Sequence, residues 1–402
     1  MKALWLTSSF PRHPRDSASV FLRHLALALQ QEGVEIHVLM PDHPDIAPDD
    51  VPIHRHPFRY AFPRRRQQLA YGSGILPNLR ENPWLYSQIP GFLAAMTWKA
   101  QRLCRQLRPD LVHAHWIVPQ GSIAVLIGSR FDVPTLVTAH GGDAFALQGG
   151  VLPALKRWTL NRADAWSSNT DATAAAAGAS RPAVVIPMGV EFQRFAGGDP
   201  GDLIPLKAGR PLILFVGRLV EKKGVSDLLD AFARLDPALG CRLWIVGDGE
   251  QRPMLEEKAR RLGLGENVRF WGRRPHHELP AFYAAADLFV APSVTDRRGD
   301  TEGQGVVFLE AMASATAVIA TRTGGIEEVI EDGRHCLLVE PGDPHALAAA
   351  MTRLLRDENL RRRLAYDGQC KARGYDWPVI GRRFIELYRC LAERRRPPNE
   401  RC

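Results

Sequence analysis

Short β-rich apolar runs alternate with helical patterns along almost the whole chain, and this alternation constrains the fold more than any single motif. A strand that feeds a helix and then another strand builds a parallel sheet covered by helices on both faces. The first series is A-L-W-L-T (3–7), E-I-H-V-L (35–39), D-L-V-H-A (110–114), T-L-V-T-A (135–139), D-A-W-S-S (164–168) and A-V-V-I-P (183–187), with helical periodicity between them, as at 19–32 and 92–107. A second series begins with P-L-I-L-F-V-G (211–217) and continues through R-L-W-I-V-G (242–247), V-R-F-W-G (268–272), D-L-F-V-A-P (287–292), A-V-I-A-T (317–321) and C-L-L-V (336–339). Two series of similar size predict two Rossmann-like parallel-sheet domains, an α/β class, and 402 residues are too many for one ordinary core.

The stretch F-A-G-G-D-P-G-D-L-I-P-L-K-A-G-R-P is rich in Gly, Pro and Asp. The expected division is therefore a first domain over 1–195, a linker over 196–210 and a second domain over 211–375. An amphipathic helix of about 376–395 has no strand to feed, and it is expected to pack back onto the first domain. Two such sheets place the carboxyl ends of their strands around one cleft, the usual ligand site of open α/β sheets.

Several tenants of that site are disfavoured. The G-x-G at Gly247 and Gly249 lacks its third glycine, with Arg252 in that place, which weakens a nicotinamide or flavin reading and hence an oxidoreductase. No G-x-x-x-x-G-K-[ST] occurs, so a P-loop is not expected. No D-x-D occurs either, the carboxylate pair that would let Mg²⁺ or Mn²⁺ bridge a sugar-nucleotide diphosphate. The charge of a diphosphate must then be met by cationic side chains and helix N-termini. His113 and His115 share one face of a strand, but no third ligand accompanies them, and no metal site is expected. The six cysteines are scattered without a C-x-x-C, which suits a reducing compartment. K-A-L-W-L-T (2–7) is too short for a signal core, and S-I-A-V-L-I-G (122–128) falls far short of the ~20 apolar residues a bilayer needs. A cytoplasmic protein without a nucleic-acid partner is the expectation. The formal charge of +8 rests on arginine, and reflects either compositional bias or attraction to phosphates or an anionic membrane face.

The positive candidates lie at strand ends. In V-G-R-L-V-E-K-K-G, Arg218 and Lys223 stand just beyond a strand, where a guanidinium fork and an ammonium can clamp a diphosphate. In T-E-G-Q-G-V-V-F-L-E-A, Glu302 precedes a glycine turn, Gly303, Gln304, Gly305 and Val306, whose free N–H groups at a helix start suit an anion. Glu310 lies about 7 to 10 Å inward at ~1.5 Å per residue, so the two acids can bracket a sugar ring and a ribose through paired hydroxyls. In T-A-H-G-G-D, His140 follows a strand and can donate to a sugar hydroxyl. The loop S-S-F-P-R-H-P-R-D-S-A-S-V-F (8–21), with Ser19 at the helix start, can lay backbone N–H groups beside phosphate.

Together these residues resemble the family 4 retaining glycosyltransferases, which have the GT-B fold of two Rossmann-like domains. The resemblance spans essentially the whole chain: P-D-L-V-H-A-H-W, T-A-H-G-G-D, V-I-P-M-G-V-E, F-V-G-R-L-V-E-K-K-G, I-V-G-D-G-E, F-W-G, E-G-Q-G-V-V-F-L-E-A-M-A and G-G-I-E-E-V-I-E-D-G, in that order. It implies that Arg218 and Lys223 hold the donor diphosphate, Glu302 a donor-sugar hydroxyl, Glu310 the ribose and His140 the region of the sugar. It also implies that backbone near Gly272 and Arg273 faces the base. His115, Trp116 and Asp143 are assigned to the acceptor side, and no cofactor is expected beyond a UDP- or GDP-linked sugar as substrate. Two departures stand out: Asp16-Ser17-Ala18-Ser19 supplies no glycine where many members approach phosphate, and Gln304-Gly305-Val306 replaces a proline found after E-G-x.

The insert 58–92 looks like that of exopolysaccharide and lipid-linked oligosaccharide members. Between 55 and 108 it belongs to a region that gathers arginines among aromatics, Phe58, Tyr60, Phe62, Tyr71, Trp84, Tyr86, Phe92 and Trp98, all expected to be exposed and suited to peripheral docking on an anionic membrane. Packing of those aromatics against the sheet is the competing expectation. A sugar-nucleotide epimerase and a non-catalytic nucleotide-sugar binding protein are the rival functions.

Overall fold

The computed structural model describes residues 1–13, 16, 18–48, 53–72, 74–146 and 149–394. The chain divides into two compact units, Met1–Pro187 with the C-terminal segment from Trp377, and Met188–Asp376. Within the first unit the strands are β1 (Lys2–Leu6), β2 (Glu35–Pro41), β3 (His54–Phe58), β4 (Leu111–His115), β5 (Thr135–Ala139), β6 (Ala165–Ser168) and β7 (Val184–Val185). They form one sheet in the order β3-β2-β1-β4-β5-β6-β7, every pair parallel. Strands β4 and β5 are buried at every residue, so His113, His115, Thr135 and Thr138 are enclosed along with their apolar neighbours and neither strand has a solvent face.

The second unit holds β8 (Leu212–Val216), β9 (Arg242–Val246), β10 (Val268–Gly272), β11 (Leu288–Ala291), β12 (Ala317–Thr321) and β13 (Cys336–Val339). Their order is β10-β9-β8-β11-β12-β13, again all parallel. The order reverses between β1 and β4 in one sheet and between β8 and β11 in the other. At such a switch point two connections leave in opposite directions and open a crevice outside the strand ends.

The amphipathic C-terminal helix Trp377–Arg394 returns to the first unit, as its pattern predicts. Gly381 lets it lie close to the helix Val20–Gln31, since a methyl there would sit 3.0 Å from the Ala28 side chain. Tyr388 is fully buried, and its hydroxyl accepts from Trp5 Nε1 at 3.0 Å. The arginine-rich stretch before it is the helix Glu358–Arg373, which stays with the second unit, where Gln369 donates to the Ala313 carbonyl.

Three readings of the sequence change here. Strand β3, H-R-H-P-F, is absent from the apolar pattern because it is an outermost strand, where histidines, arginine and Pro57 are tolerated. Residues 195–211 lie inside the second unit and carry the short helix Leu203–Lys207, while Phe195 at their start and Phe192 just before are buried in that unit's core. The aromatics of the insert divide. Phe58, Tyr60, Tyr71 and Phe92 are buried, with the Phe92 ring 5.2 Å from both Phe58 and Tyr60, so they pack the segment onto the sheet. Phe62, Trp84, Tyr86 and Trp98 are 82%, 84%, 59% and 62% exposed. Among the described residues no helix is long and apolar enough to cross a membrane.

Candidate active site

The second unit assembles its polar residues at the β8/β11 switch point. After β8 the chain runs through Arg218 into a single 3₁₀ turn, Glu221–Lys223, ended by Gly224 at φ 63°. No other residue fits there, because a methyl on Gly224 would sit 1.8 Å from the Pro292 carbonyl oxygen in the connection after β11. This close approach brings the lysines of one connection onto the acids of the other. Lys222 donates to Asp300 at 3.0 Å and to the Thr301 carbonyl at 3.1 Å, and the Lys223 ammonium pairs with the Glu302 carboxylate. Burial pushes the Glu302 carboxyl up, but Lys223, then Lys222 and Arg218, outweigh it and hold the group below the usual carboxylate range. Glu302 is thus an anion in a nest of three cations.

The backbone of Glu302 is fixed as well. Its carbonyl accepts from Gly325 N–H at 3.1 Å, and a methyl on Gly324 (φ 54°) would sit 1.9 Å from that oxygen. Gly305, at φ 75°, opens the helix Val306–Ala313 with no side-chain cap, which leaves first-turn N–H groups available to an anion. Gln304 makes a different contact from the one expected of a donor-binding side chain: its amide accepts from Met188 N–H at 2.6 Å and donates to the Met188 carbonyl at 3.0 Å, tying the turn to the start of the unit. Thr301, just before this turn, and Ser293, just after β11, are both buried, and their hydroxyls have no hydrogen-bond partner among the described residues.

Glu310 lies about one turn into that same helix and is 5% exposed. One carboxylate oxygen meets His276 Nε2 at 3.0 Å and the other accepts from the Tyr283 hydroxyl at 2.8 Å. Burial lowers the His276 pKa, yet Glu310 and Glu191 overcome it and leave it raised. Each oxygen of Glu310 keeps a further lone pair, so the group can still accept from a ribose hydroxyl while being held by two side chains. Sequence reasoning missed both holders. R-P-H-H-E-L-P reads as a polar loop, and no local signal points from His276 or Tyr283 to an acid about thirty residues on.

Trp271 and Gly272 end β10, and Arg273 follows it. Gly272 (φ 68°) presents its carbonyl to Gly247 N–H at 2.9 Å, and the Trp271 ring stacks under the Arg269 guanidinium at 3.9 Å. Arg273 is exposed. The G-D-G after β9 serves backbone packing, since methyls on Gly247 and Gly249 would sit 1.8 Å and 2.4 Å from the carbonyls of Gly217 and Leu219.

In the first unit the strand ends carry neutral groups. His113 is committed at both nitrogens, Nδ1 to the Tyr388 hydroxyl at 2.6 Å and Nε2 to Thr138 Oγ1 at 2.7 Å. Trp5 can only donate to Tyr388, so the tyrosine proton goes to Nδ1 and His113 donates from Nε2. His115 Nδ1 meets His140 Nε2 at 3.1 Å. Burial drives all three imidazoles down, His140 to about 3, and the neighbouring imidazoles add to the effect at His113 and His115. His115 Nε2 and His140 Nδ1 have no hydrogen-bond partner among the described residues, and the same is true of both amide atoms of Gln120, which is 1% exposed, and of Asn169 Oδ1. Gln120 and Asn169 follow β4 and β6, and sequence reasoning missed them because an isolated amide carries no pattern.

Asp143, expected on the acceptor side, joins two loops: it accepts from Ile117 N–H at 2.8 Å and His140 N–H at 2.9 Å. Burial raises its pKa against those bonds. Trp116 adopts φ 77°, strained for a bulky residue, with its ring 5.3 Å from that of His140. Ser19 has φ 50° and caps the helix Val20–Gln31 without a side-chain hydrogen bond. The loop before it is organised by Asp16, which accepts from Arg12 Nε at 2.6 Å and from Ala18 N–H at 3.1 Å. Pro14, Arg15 and Ser17 of the expected phosphate loop lie outside the described residues.

Comparison with known proteins identifies the family of the chain. Residues 18–194 match the model of Glycosyltransferase Family 4, and residues 204–370 match that of Glycosyl transferases group 1. The chain is 30% identical to TuaC of Bacillus subtilis, a glycosyltransferase named for teichuronic acid biosynthesis, over 91% of this chain and 92% of that protein. It is 34% identical to a D-inositol 3-phosphate glycosyltransferase of Corynebacterium urealyticum over 76% and 77% of the two chains. The crystal structure of Anabaena HepE in complex with UDP has the same fold, with a TM-score of 0.74 at 21% identity, covering 97% of this chain and all of that one. The chain is a GT-B glycosyltransferase and belongs to the family 4, group 1 glycosyltransferases.

Proposed function

We propose that the protein transfers a hexosyl group from a UDP- or GDP-sugar to a saccharide hydroxyl with retention at the anomeric carbon and without a metal ion. The observation that carries this reading is the cluster of Arg218, Lys222 and Lys223 around Glu302, beside the uncapped start of the helix Val306–Ala313. Such a site matches a diphosphate with fixed cations and backbone N–H groups, and it offers the donor sugar one carboxylate as acceptor for its hydroxyls. The absence of a D-x-D pair supports charge matching by side chains.

No carboxylate stands out as a double-displacement nucleophile, so attack on the front face is favoured. The bond from the anomeric carbon to the phosphate oxygen breaks, the acceptor oxygen bonds on the same face, and its proton passes to the departing phosphate. Arg218, Lys223 and the helix N-terminus stabilise the leaving-group charge, the largest contribution available. His140, neutral, donates a hydrogen bond near the sugar. Glu310, held by His276 and Tyr283, takes the ribose. The unpartnered groups of His115, Gln120 and Asn169 suit acceptor hydroxyls.

A thermal-shift panel of UDP, GDP and their sugars tests the donor, since a ligand at 100 times its Kd adds about 2.7 kcal/mol. Incubation with the stabilising donor and a saccharide, followed by NMR of the new linkage, tests the reaction. An inverted linkage or dependence on added Mg²⁺ refutes the mechanism. Conversion of donor alone to an epimeric sugar would favour the epimerase.

The acceptor is proposed to be a lipid-linked saccharide reached by peripheral docking. Residues 59–108 contain nine basic residues and one acid, Glu81, so this segment alone accounts for the chain's formal excess of +8. Arg59 and Arg64 pair with Asp42, whereas Arg65, Arg66 and Arg80 are exposed and make no ion pair among the described residues. Gln88 bonds the Arg66 carbonyl at 2.8 Å, which joins the turn carrying Phe62 to the one carrying Trp84 and Tyr86. Cations near an anionic bilayer contribute about 1 kcal/mol each, and exposed aromatics suit the interface. Flotation with anionic vesicles should be lost when Arg65, Arg66 and Arg80 become Ser, and weakened when Phe62 and Trp84 do. Binding indifferent to lipid charge and to both variants removes this proposal.

A further inference from the structure

Strands β2 and β3 carry E-x-H and H-x-H, Glu35 with His37 and His54 with His56. Period two puts each pair on one face of its strand, and the parallel register sets His37 beside His54. The rings follow: His37 stacks against His54 at 4.6 Å and against His56 at 5.2 Å. Glu35 Oε1 lies 2.7 Å from His37 Nε2 and 4.0 Å from His54 Nε2. One ligand atom from each of Glu35, His37 and His54 falls within 4.8 Å of the others. The second nitrogen of His37, Nδ1, meets His56 Nε2 at 3.0 Å.

We propose that Glu35, His37 and His54 form a zinc-type divalent metal site on the outer edge of the first sheet, with His56 holding the remaining nitrogen of His37. Zinc takes imidazole nitrogen and carboxylate oxygen at about 2.0 to 2.2 Å, so tetrahedral ligands stand about 3.3 Å apart. The separations of 2.7 and 4.0 Å straddle that value, and small rotations of the half-exposed Glu35 and His54 bring them together. A metal-bound histidine ordinarily donates its other N–H to a fixed acceptor, which is the place His56 occupies. In that tautomer the bare His37 Nε2 faces a carboxylate oxygen, two lone pairs that a cation between them reconciles. The Lys2 ammonium, 3.8 Å from the other oxygen of Glu35, competes for the carboxylate without blocking the face toward the imidazoles.

Two imidazoles and one carboxylate select a borderline transition metal over Mg²⁺ or Ca²⁺, which prefer oxygen donors. Three protein ligands leave a position for water. The site pins the most polar strand of the sheet to its neighbour, so its effect is on the stability of that edge. It is independent of the transfer reaction.

The test uses the full chain stripped with EDTA and titrated with Zn²⁺ alone by calorimetry, with Co²⁺ as a spectroscopic probe. One equivalent of zinc should bind, with visible cobalt bands of low coordination number. His54→Ala and Glu35→Gln, both at half-exposed positions, should each weaken zinc binding at least tenfold, with melting curves confirming that the variants fold. His56→Ala should weaken it about tenfold by releasing His37. No uptake at about 100 µM free zinc, well above the range of a built site, overturns the proposal. So does uptake that either His54→Ala or Glu35→Gln leaves undiminished.

Discussion

Both sheets reverse their strand order once, and both gather polar residues around the carboxyl ends of their strands, but they treat burial in opposite ways. In the second unit Glu302 is largely taken out of water together with Lys222 and Lys223, with the exposed Arg218 adding to the field, and the opposite charges keep it ionised. In the first unit His113, His115 and His140 are taken out of water with no carboxylate paired to their rings among the described residues, and burial strips them of charge. The same desolvation therefore yields an ionic half and a neutral half, depending on whether a counter-charge is buried alongside. An ionic site suits a diphosphate, and a neutral one suits hydroxyls.

The largest effect should come from removing a cation on the ionic side. Lys223→Ala or Arg218→Ala should lower kcat/KM by roughly 10²- to 10³-fold, about 2.7 to 4 kcal/mol of transition-state stabilisation, with the fold retained. Near-normal steady-state rates in both variants would mean that the diphosphate lies elsewhere.

Glu302→Gln sharpens the same side. Its loss leaves Lys223 without its partner, and up to about 3 kcal/mol of stability should go with it at neutral pH. Because its folded pKa is depressed, the stabilisation from Glu302 is complete above the ordinary carboxylate value of about 4.3 and lost as pH falls through the depressed one. Urea melts between pH 7 and 3 should therefore show a shallower acid limb in the variant. Parallel limbs would place the pair outside the folding balance.

A smaller change is expected at Glu310. His276 has a raised pKa, so its contribution is full below about 6.5 and fades as pH rises through the raised value. His276→Asn should remove that alkaline decline and weaken nucleotide binding by about 1 to 3 kcal/mol through a less firmly held Glu310. Nucleotide titrations that match the parent protein would sever Glu310 from ribose recognition.

The smallest effect separates the halves most directly. His140, at about 3, stays neutral across the working range, so its replacement by Asn should alter the rate without shifting any inflection of the pH–rate profile between 5.5 and 8, a window of roughly two units around the ordinary histidine value. An inflection near 6.5 that disappears with His140 would show that the first unit titrates after all.

The chemistry of single residues was more legible in the sequence than their partnerships. Arg218, Lys223, Glu302 and Glu310 stand out because each follows a strand pattern or a glycine turn. The commitment of Gln304 to the Met188 backbone, of Asp143 to two loop N–H groups, and of Glu310 to His276 and Tyr283 leaves no local trace. The insert teaches the same lesson: arginines and aromatics are visible as composition, yet Tyr60 and Phe92 are core while Phe62 and Trp84 face solvent.

What the sequence by itself determined is therefore whatever a window of about ten residues can encode: strands as short apolar runs, helices as 3.6-residue periodicity, turns as glycines, and hence two parallel sheets with cations and acids at particular strand ends. Only the tertiary structure decided that H-R-H-P-F is a strand, because the backbone of β2 recruits it at the sheet edge despite its polar side chains. Only the structure paired Lys223 with Glu302 across 79 residues, since that contact depends on β8 lying beside β11. The charge states followed from the same source. A side chain's composition sets its ordinary pKa, but its burial and its buried neighbours belong to the fold.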